Sequence, residues 1–215
     1  MLTVALPIPH RHRQPSRITI RGERRSDVAA REKLLDAAMG PDRFTKSSER
    51  LREGRKPARG LAFTAVEGKR LIGTVRLWSV TAGAAGGCLL LGPLAVAADV
   101  QGCGVGADLM RRALREAKRR GYRAVLLVGD TAYYQRFGFS AENTGALRMP
   151  GPYDRERLLA HEFVSGTLKG ARGMIAADRP PSSLLDSISC DPRLRSGSLN
   201  HVYSGARNIE LAGPR

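Results

Sequence analysis

Gln101, Gly102, Cys103, Gly104, Val105 and Gly106 stand between an apolar run that ends at Val96 and a basic stretch with helical periodicity. Three glycines in five positions ahead of a helix make a backbone that can approach phosphate closely. Without Cβ atoms, successive N–H groups turn toward an anion, with the positive end of the helix behind them. A Walker A loop is excluded, because Gly102 is not followed at the right distance by Gly-Lys. A dinucleotide fingerprint, G-x-G-x-x-G/A, is met by Gly102, Gly104 and Ala107, with Asp130 downstream where a ribose-binding carboxylate would stand. Against it, a hairpin pattern precedes the loop and about one βα unit follows, which is little sheet for a dinucleotide.

A third pattern, Q/R-x-x-G-x-G/A, is the pyrophosphate loop of acetyl-coenzyme A enzymes, and Gln101, Gly104 and Gly106 fit it in register. Spacing alone leaves this loop, the dinucleotide loop and a plain turn all open. Cys103 lies inside the loop and is a nucleophile in principle, but it reads as an ordinary loop residue. His10, His12 and His201 fall in the expected tails without partners at metal-ligand spacing, so no metal site is expected.

The elements around the loop follow from periodicity. Ile18 and Ile20 alternate with polar residues as a first strand, and residues 26–40 read as a helix with Ser26 as N-cap, Val28, Leu34, Leu35 and Ala38 apolar, and Gly40 as the stop. A second short helix is expected over residues 47–54. Residues 61–66 and 71–80 form a hairpin through Gly68, and a glycine-rich link, TAGAAGG, leads to CLLLGPLAV, a strand apolar on both faces and therefore central. Gly92-Pro93 interrupts it, because proline has no N–H to donate and glycine tolerates bulge geometry. Leu109, Met110, Ala113, Leu114 and Ala117 then make the apolar stripe of a basic helix ended by Gly121. A strand over residues 123–130, a short helix stopped at Gly138 and a late strand over residues 155–164 complete the order. This is an α/β (α+β) fold with a mixed central sheet flanked by helices. Residues 1–16 read as a flexible arm, residues 17–175 as the domain, and residues 176–215, rich in Ser, Pro, Gly and Arg, as an extension unable to bury a core of its own.

Taken in order, GTVRLW, LLLGPLAV, QGCGVGADLM, AVLLVGD and YYQRFGF resemble the GNAT superfamily of acetyl-CoA-dependent N-acetyltransferases, in a branch of small bacterial members. The resemblance implies the GNAT acyl-CoA N-acyltransferase fold, with acetyl-CoA as acetyl donor and no metal. It implies that the bulged central strand splays from its neighbour, so that the backbone of Leu94, Ala95 and Val96 contacts pantetheine and a backbone N–H there polarises the thioester carbonyl. Gln101, Gly102, Cys103, Gly104, Val105 and Gly106 would hold the pyrophosphate. Tyr134, four residues before the glycine of the Y-x-x-x-G-F motif, would protonate the departing thiolate. Tyr133, one residue earlier, would point elsewhere, into packing. The amine must lose a proton before attack, and Glu67, His161 and Glu162 are conceivable bases, but each is more simply a solvated or hydrogen-bonded residue, and no base is assigned. Tyr153, in PGPYDRER near the family's acceptor region, reads first as turn and packing.

The chain of 215 residues carries a formal net charge of +16, 42% hydrophobic, 26% charged and 5% aromatic residues. Length and composition suit one globular domain with tails. The charge favours anionic partners, but the cations are spread along the chain and aromatics are few, so no specific nucleic-acid partner is expected. No apolar stretch reaches the length of a transmembrane helix, and no membrane partner is expected. Cys88, Cys103 and Cys190, odd in number and widely spaced, read as reduced thiols of a cytoplasmic protein. The partner implied by the resemblance is an amine, small-molecule or protein-borne, and homodimers are common in the family. Two rivals remain: a non-catalytic acyl-CoA-binding module, and a basic nucleic-acid-binding protein.

Overall fold

The computed structural model describes residues 17–178. The chain runs β1 (Ile18–Gly22), α1 (Val28–Met39), β2 (Ala62–Glu67), β3 (Arg70–Ala82), β4 (Ala85–Val96), α2 (Val105–Arg119), β5 (Ala124–Val128), α3 (Thr131–Tyr134), β6 (Leu147–Arg148), β7 (Leu158–Glu162) and β8 (Gly173–Ala177). The eight strands form a mixed sheet in the order β1-β2-β3-β4-β5-β7; β8 pairs with β3 and β6. Among the neighbours β4 and β5 are parallel, as are β6 and β8, and the rest are antiparallel.

β4 is central because it can be nothing else: Leu89 and Leu90 are fully buried and Cys88 and Leu91 nearly so. Leu89 and Leu91 point into the cluster packed against α2, through Leu109, Met110, Ala113 and Ala117. Leu90 faces the other cluster, with Trp78, Leu126 and Leu147. α1 lies on the sheet through Leu34 and Leu35, which meet Ala95. Its expected apolar positions Val28 and Ala38 are instead exposed, and Arg31 takes a buried place by pairing with Glu23 and Glu32, each at 2.5 Å.

Three local expectations change. The glycine-rich link is a two-residue turn, Gly83-Ala84, so β3 and β4 are one long hairpin; Gly83 has φ +59° and a Cβ there would meet the Arg172 carbonyl at 2.1 Å. The helix expected over residues 47–54 is only a 3-10 turn at Glu49–Leu51, preceded by another, outside that range, at Pro41–Thr45. β8 carries the strand pattern to Ala177, where composition had suggested the domain ending at Ile175. The expected arm over residues 1–16, with His10 and His12, and the rest of the expected extension, with Cys190 and His201, lie outside the described residues. Among the described residues, no helix is long and apolar enough to cross a membrane.

Candidate functional site

The Gly92-Pro93 pair is a bulge: Val75 pairs with Leu94 and Leu77 with Leu91, leaving two residues of β4 opposite Arg76 alone. Gly92 adopts φ +127°, and its carbonyl accepts the buried Trp78 Nε1–H at 2.6 Å. The extra residue shifts the alternation by one. Before it, odd-numbered Leu89 and Leu91 face α2; after it, even-numbered Leu94 and Val96 do, and Ala95 turns to α1.

The bulge also ends one ladder. β4 pairs with β5 only from Cys88 opposite Ala124 to Leu90 opposite Leu126, although β5 continues along β7 to Val128 and β4 along β3 to Val96. Beyond Leu90 the β5-facing edge of β4 is therefore outside any strand ladder, with the backbone groups of Leu94 and Val96 on that edge and those of Ala95 turned to β3. A groove of about 430 Å³ follows from it, lined by Leu94, Ala95 and Val96, then Gln101, Gly102, Gly104, Val105 and Gly106, with Tyr133, Tyr134 and Arg136 opposite.

The floor of the groove is the start of α2. Gly104 is its N-cap at φ +84°, accepting Asp108 N–H at 3.0 Å, and Gly102 has φ +81°. The cap has no side chain, and the first-turn N–H groups of Val105, Gly106 and Ala107 have no helical carbonyl to meet, so donors and dipole are directed at the groove. Gln101 turns its amide back to the Val96 carbonyl at 3.3 Å, tying the loop to the end of β4. Cys103 is exposed and does not line the groove.

Asp130 and α3 form the opposite wall. The Asp130 carboxylate accepts Ala132 N–H at 3.0 Å and caps α3, so the residue that a dinucleotide fingerprint would aim at a ribose is spent on a helix end. Tyr134 is packed among Tyr133, with ring centroids 4.9 Å apart, and Phe139, at 6.0 Å. Burial pushes its phenol up to about 12, and among the described residues its hydroxyl has no hydrogen-bond partner. It is a neutral donor held in the groove wall.

Tyr133 departs from expectation. It lines the groove too, and its hydroxyl stands 3.0 Å from where a Cβ on Gly106 would be. Arg136 lies over its ring at 4.1 Å. The Y-x-x-x-G-F spacing singles out Tyr134 only, and Arg136 reaches the Tyr133 ring from the 3-10 turn Gln135–Phe137 that follows α3.

The remaining candidates are elsewhere. Glu67 stands opposite Arg70 at the β2-β3 turn and does not line the groove. His161 sits opposite Val125, with its Nδ1 3.0 Å from the Gly138 carbonyl and its ring against Phe139 and Phe163. Glu162 accepts the N–H groups of Gly166 and Leu168 and so holds the turn after β7. The Tyr153 hydroxyl donates to the Leu147 carbonyl at 3.1 Å, beside a separate cavity. Among the described residues, no group of three or more His, Cys, Asp or Glu is placed to hold a metal ion.

Comparison with known proteins gives the site a context. The model of the acetyltransferase (GNAT) family matches residues 29–139. The uncharacterized N-acetyltransferase YhbS of Escherichia coli K12 is 32% identical over 85 residues, 40% of this chain and 51% of the relative; the chain thus spans about half the length of the curated relatives it matches. The crystal structure of E. coli YhbS in complex with CoA superposes with a TM-score of 0.65 at 26% identity, covering 79% of this chain and 94% of that one. A GNAT acetyltransferase from Brucella melitensis in complex with acetyl-CoA gives 0.58 at 27%, covering 76% and 97%.

Proposed function

The chain belongs to the GNAT acetyltransferase family, and on that premise we propose that it transfers an acetyl group from acetyl-CoA to a primary amine by direct attack on the thioester. The observation that carries the reading is the continuity of one groove: a strand edge released by the Gly92-Pro93 bulge, a glycine loop at a helix N-terminus, and a protonated phenol on the opposite wall. The CoA and acetyl-CoA bound by the two structural neighbours support it.

In this reading the edge of Leu94 to Val96 that β5 leaves unpaired hydrogen-bonds pantetheine as a further strand would, the Val96 carbonyl being held by Gln101. The loop N–H groups of Gly102, Gly104, Val105 and Gly106 surround the pyrophosphate, with the α2 dipole behind them. Arg136, beside Tyr133, adds a cation on the same wall. The neutral amine attacks the carbonyl carbon, a backbone N–H near the bulge stabilises the oxyanion, and coenzyme A leaves as a thiolate that takes the Tyr134 proton. Glu67, His161 and Glu162 stay outside the groove, and the reading uses none of them.

Calorimetric titration with acetyl-CoA and, separately, NAD tests the binding half; binding of NAD alone would end the reading. Thiol release from acetyl-CoA on an amine panel tests the chemistry. Acetyl-CoA binding with no thiol release on any amine would leave a binding module in place of an enzyme.

A further inference from the structure

A second cavity, of about 410 Å³, opens on the α1 face of the bulge. Arg76 and Trp78 of β3 and Leu35 of α1 line it, and the 3-10 turn at Glu49–Leu51 brings Arg52 to it. Pro93 belongs to this cavity and Leu94, the next residue, to the groove. No residue lines both spaces, and consecutive strand positions face opposite sides of the sheet, so Pro93 and Leu94 put the two openings on the two sides of β4 at the bulge, near the backbone N–H to which the preceding section gives the oxyanion.

Arg52 is poorly paired for a buried cation. Its side chain is 10% exposed, its Nε is buried without a hydrogen-bond partner, and it meets Glu49 only at 3.6 Å. One of its terminal nitrogens stands 2.9 Å from where a Cβ on Gly92 would be, so the guanidinium rests on the bulge itself. Arg76, 16% exposed, is better paired: a terminal nitrogen donates to Glu23 Oε1 at 3.4 Å and its Nε stands 3.3 Å from Oε2 without hydrogen-bond geometry, and its guanidinium lies 5.0 Å over the Trp78 ring. Burial pushes Arg52 down to about 10; the Glu49 carboxylate opposes this and the neighbouring Arg76 charge adds to the fall. Removing charges from water without full compensation is costly, and an arriving anion would supply the missing partner. Glu32 does not supply it, because it bridges Arg31 and Arg43.

We propose that this cavity is the acceptor site and selects small amines bearing a carboxylate, received by the fork of Arg52 with Arg76 behind it. The proposal rests on the acetyl-transfer reading. The volume lies within the small-molecule range, and the planar guanidinium matches a carboxylate in two hydrogen bonds. Arg43, Arg50 and Arg55 also line the cavity beside Glu49 and Glu53, so its lining is net cationic and suits an anionic acceptor. With the carboxylate at Arg52, the amine reaches past Pro93 toward Leu94. Its nitrogen bonds to the acetyl carbon, the C–S bond breaks, the sulfur leaves with the electron pair and is protonated to coenzyme A thiol, and the nitrogen's surplus proton passes to solvent. The carboxylate is unchanged.

The test is thiol release by the full chain with acetyl-CoA and straight-chain amino acids of increasing length, each beside its carboxamide and its phosphonate. The expected result is a preference for the carboxylate of about tenfold or more in kcat/KM, lost in Arg52→Gln and partly restored in Arg52→Lys. Arg76→Gln is expected to weaken the same preference, which keeps the test open if Arg52→Gln fails to fold. Acetyl-CoA affinity stays unchanged in all variants. Equal use of carboxylate and carboxamide, or preference for the phosphonate, overturns the proposal while leaving acetyl transfer intact. If no amine is acetylated, calorimetry of the CoA-bound protein with the same carboxylates decides: no binding overturns the proposal, and binding lost in Arg52→Gln upholds the site. Failure to bind acetyl-CoA at all is the separate failure of the underlying reading.

Discussion

The Tyr134 ring packs against the Cα of Gly129, so that a Cβ built there would stand 2.3 Å from Cε2 and 2.8 Å from Cδ2. Phe139 and Tyr133 hold the ring on other sides, leaving it no relaxed position to move to. Gly129→Ala should therefore displace the phenol from the groove wall, lowering kcat for thiol release about tenfold while the acetyl-CoA KM changes little, because a small misplacement of a reacting group is felt in the rate. Tyr134→Phe keeps the ring and removes the proton, and should cost about 100-fold in kcat with stability nearly unchanged. Wild-type rates in Tyr134→Phe would remove the phenol from the reaction.

The same burial sets a pH signature. A phenol near 12 stays protonated across the ordinary assay range, so the rate should climb as the amine deprotonates and show no tyrosine-dependent fall around pH 10. A folded value raised above the unfolded one also means that the stability it contributes is complete below about pH 10 and lost as pH rises toward 12. A kcat profile that turns down near pH 10 in wild type but not in Tyr134→Phe would contradict this assignment.

At the loop, Gly106 should be intolerant for a different reason from Gly104. Gly104 needs its left-handed backbone, and Gly104→Ala should cost about 1–2 kcal/mol of stability by denaturant titration. Gly106 has no unusual φ, but its Cβ would meet the Tyr133 hydroxyl at 3.0 Å. Gly106→Ala should weaken acetyl-CoA binding about tenfold by calorimetry, and adding Tyr133→Phe should recover part of that loss, since the two positions share one contact. Strict additivity in that cycle would mean that the hydroxyl is not what excludes the methyl.

These contacts mark how far the sequence reaches. The bulge was legible because Gly92-Pro93 in an otherwise apolar strand has few other uses, and the loop because glycine spacing before a helix is a local pattern. Tyr134 was legible through its offset from Gly138. Tyr133 and Arg136 were missed, because their relevance depends on where α3 stands relative to α2, a tertiary fact that no local window holds. Arg52 was missed for the same cause: it sits in a charged stretch that reads as solvated surface, and its burial arises only when the 3-10 turn folds over β4. The Gly83-Ala84 turn reads as a linker in the sequence because the glycines around it hide the strand pairing that continues to Ala85.

Away from the site, Asp27 ties β1 to the start of α1. Its carboxylate accepts from the Arg21 guanidinium at 2.6 and 2.9 Å and from the Arg24 N–H at 2.7 Å, and the Arg21 partner first, then the Arg24 backbone, hold it down to about 2. A folded value below the ordinary 3.8 contributes stability that is present above about pH 4 and is lost as pH falls toward 2. Denaturant titrations in steps from pH 5 to pH 2 should show the wild type losing on the order of 1–2 kcal/mol from this group. Asp27→Asn should be less stable by a similar amount at pH 7 and should lack this part of the acid loss, because nothing at that position is left to protonate. An acid limb identical in the two proteins would place the loss in another carboxylate, and the Glu23, Glu32 and Arg31 cluster would be the next to test by the same substitution.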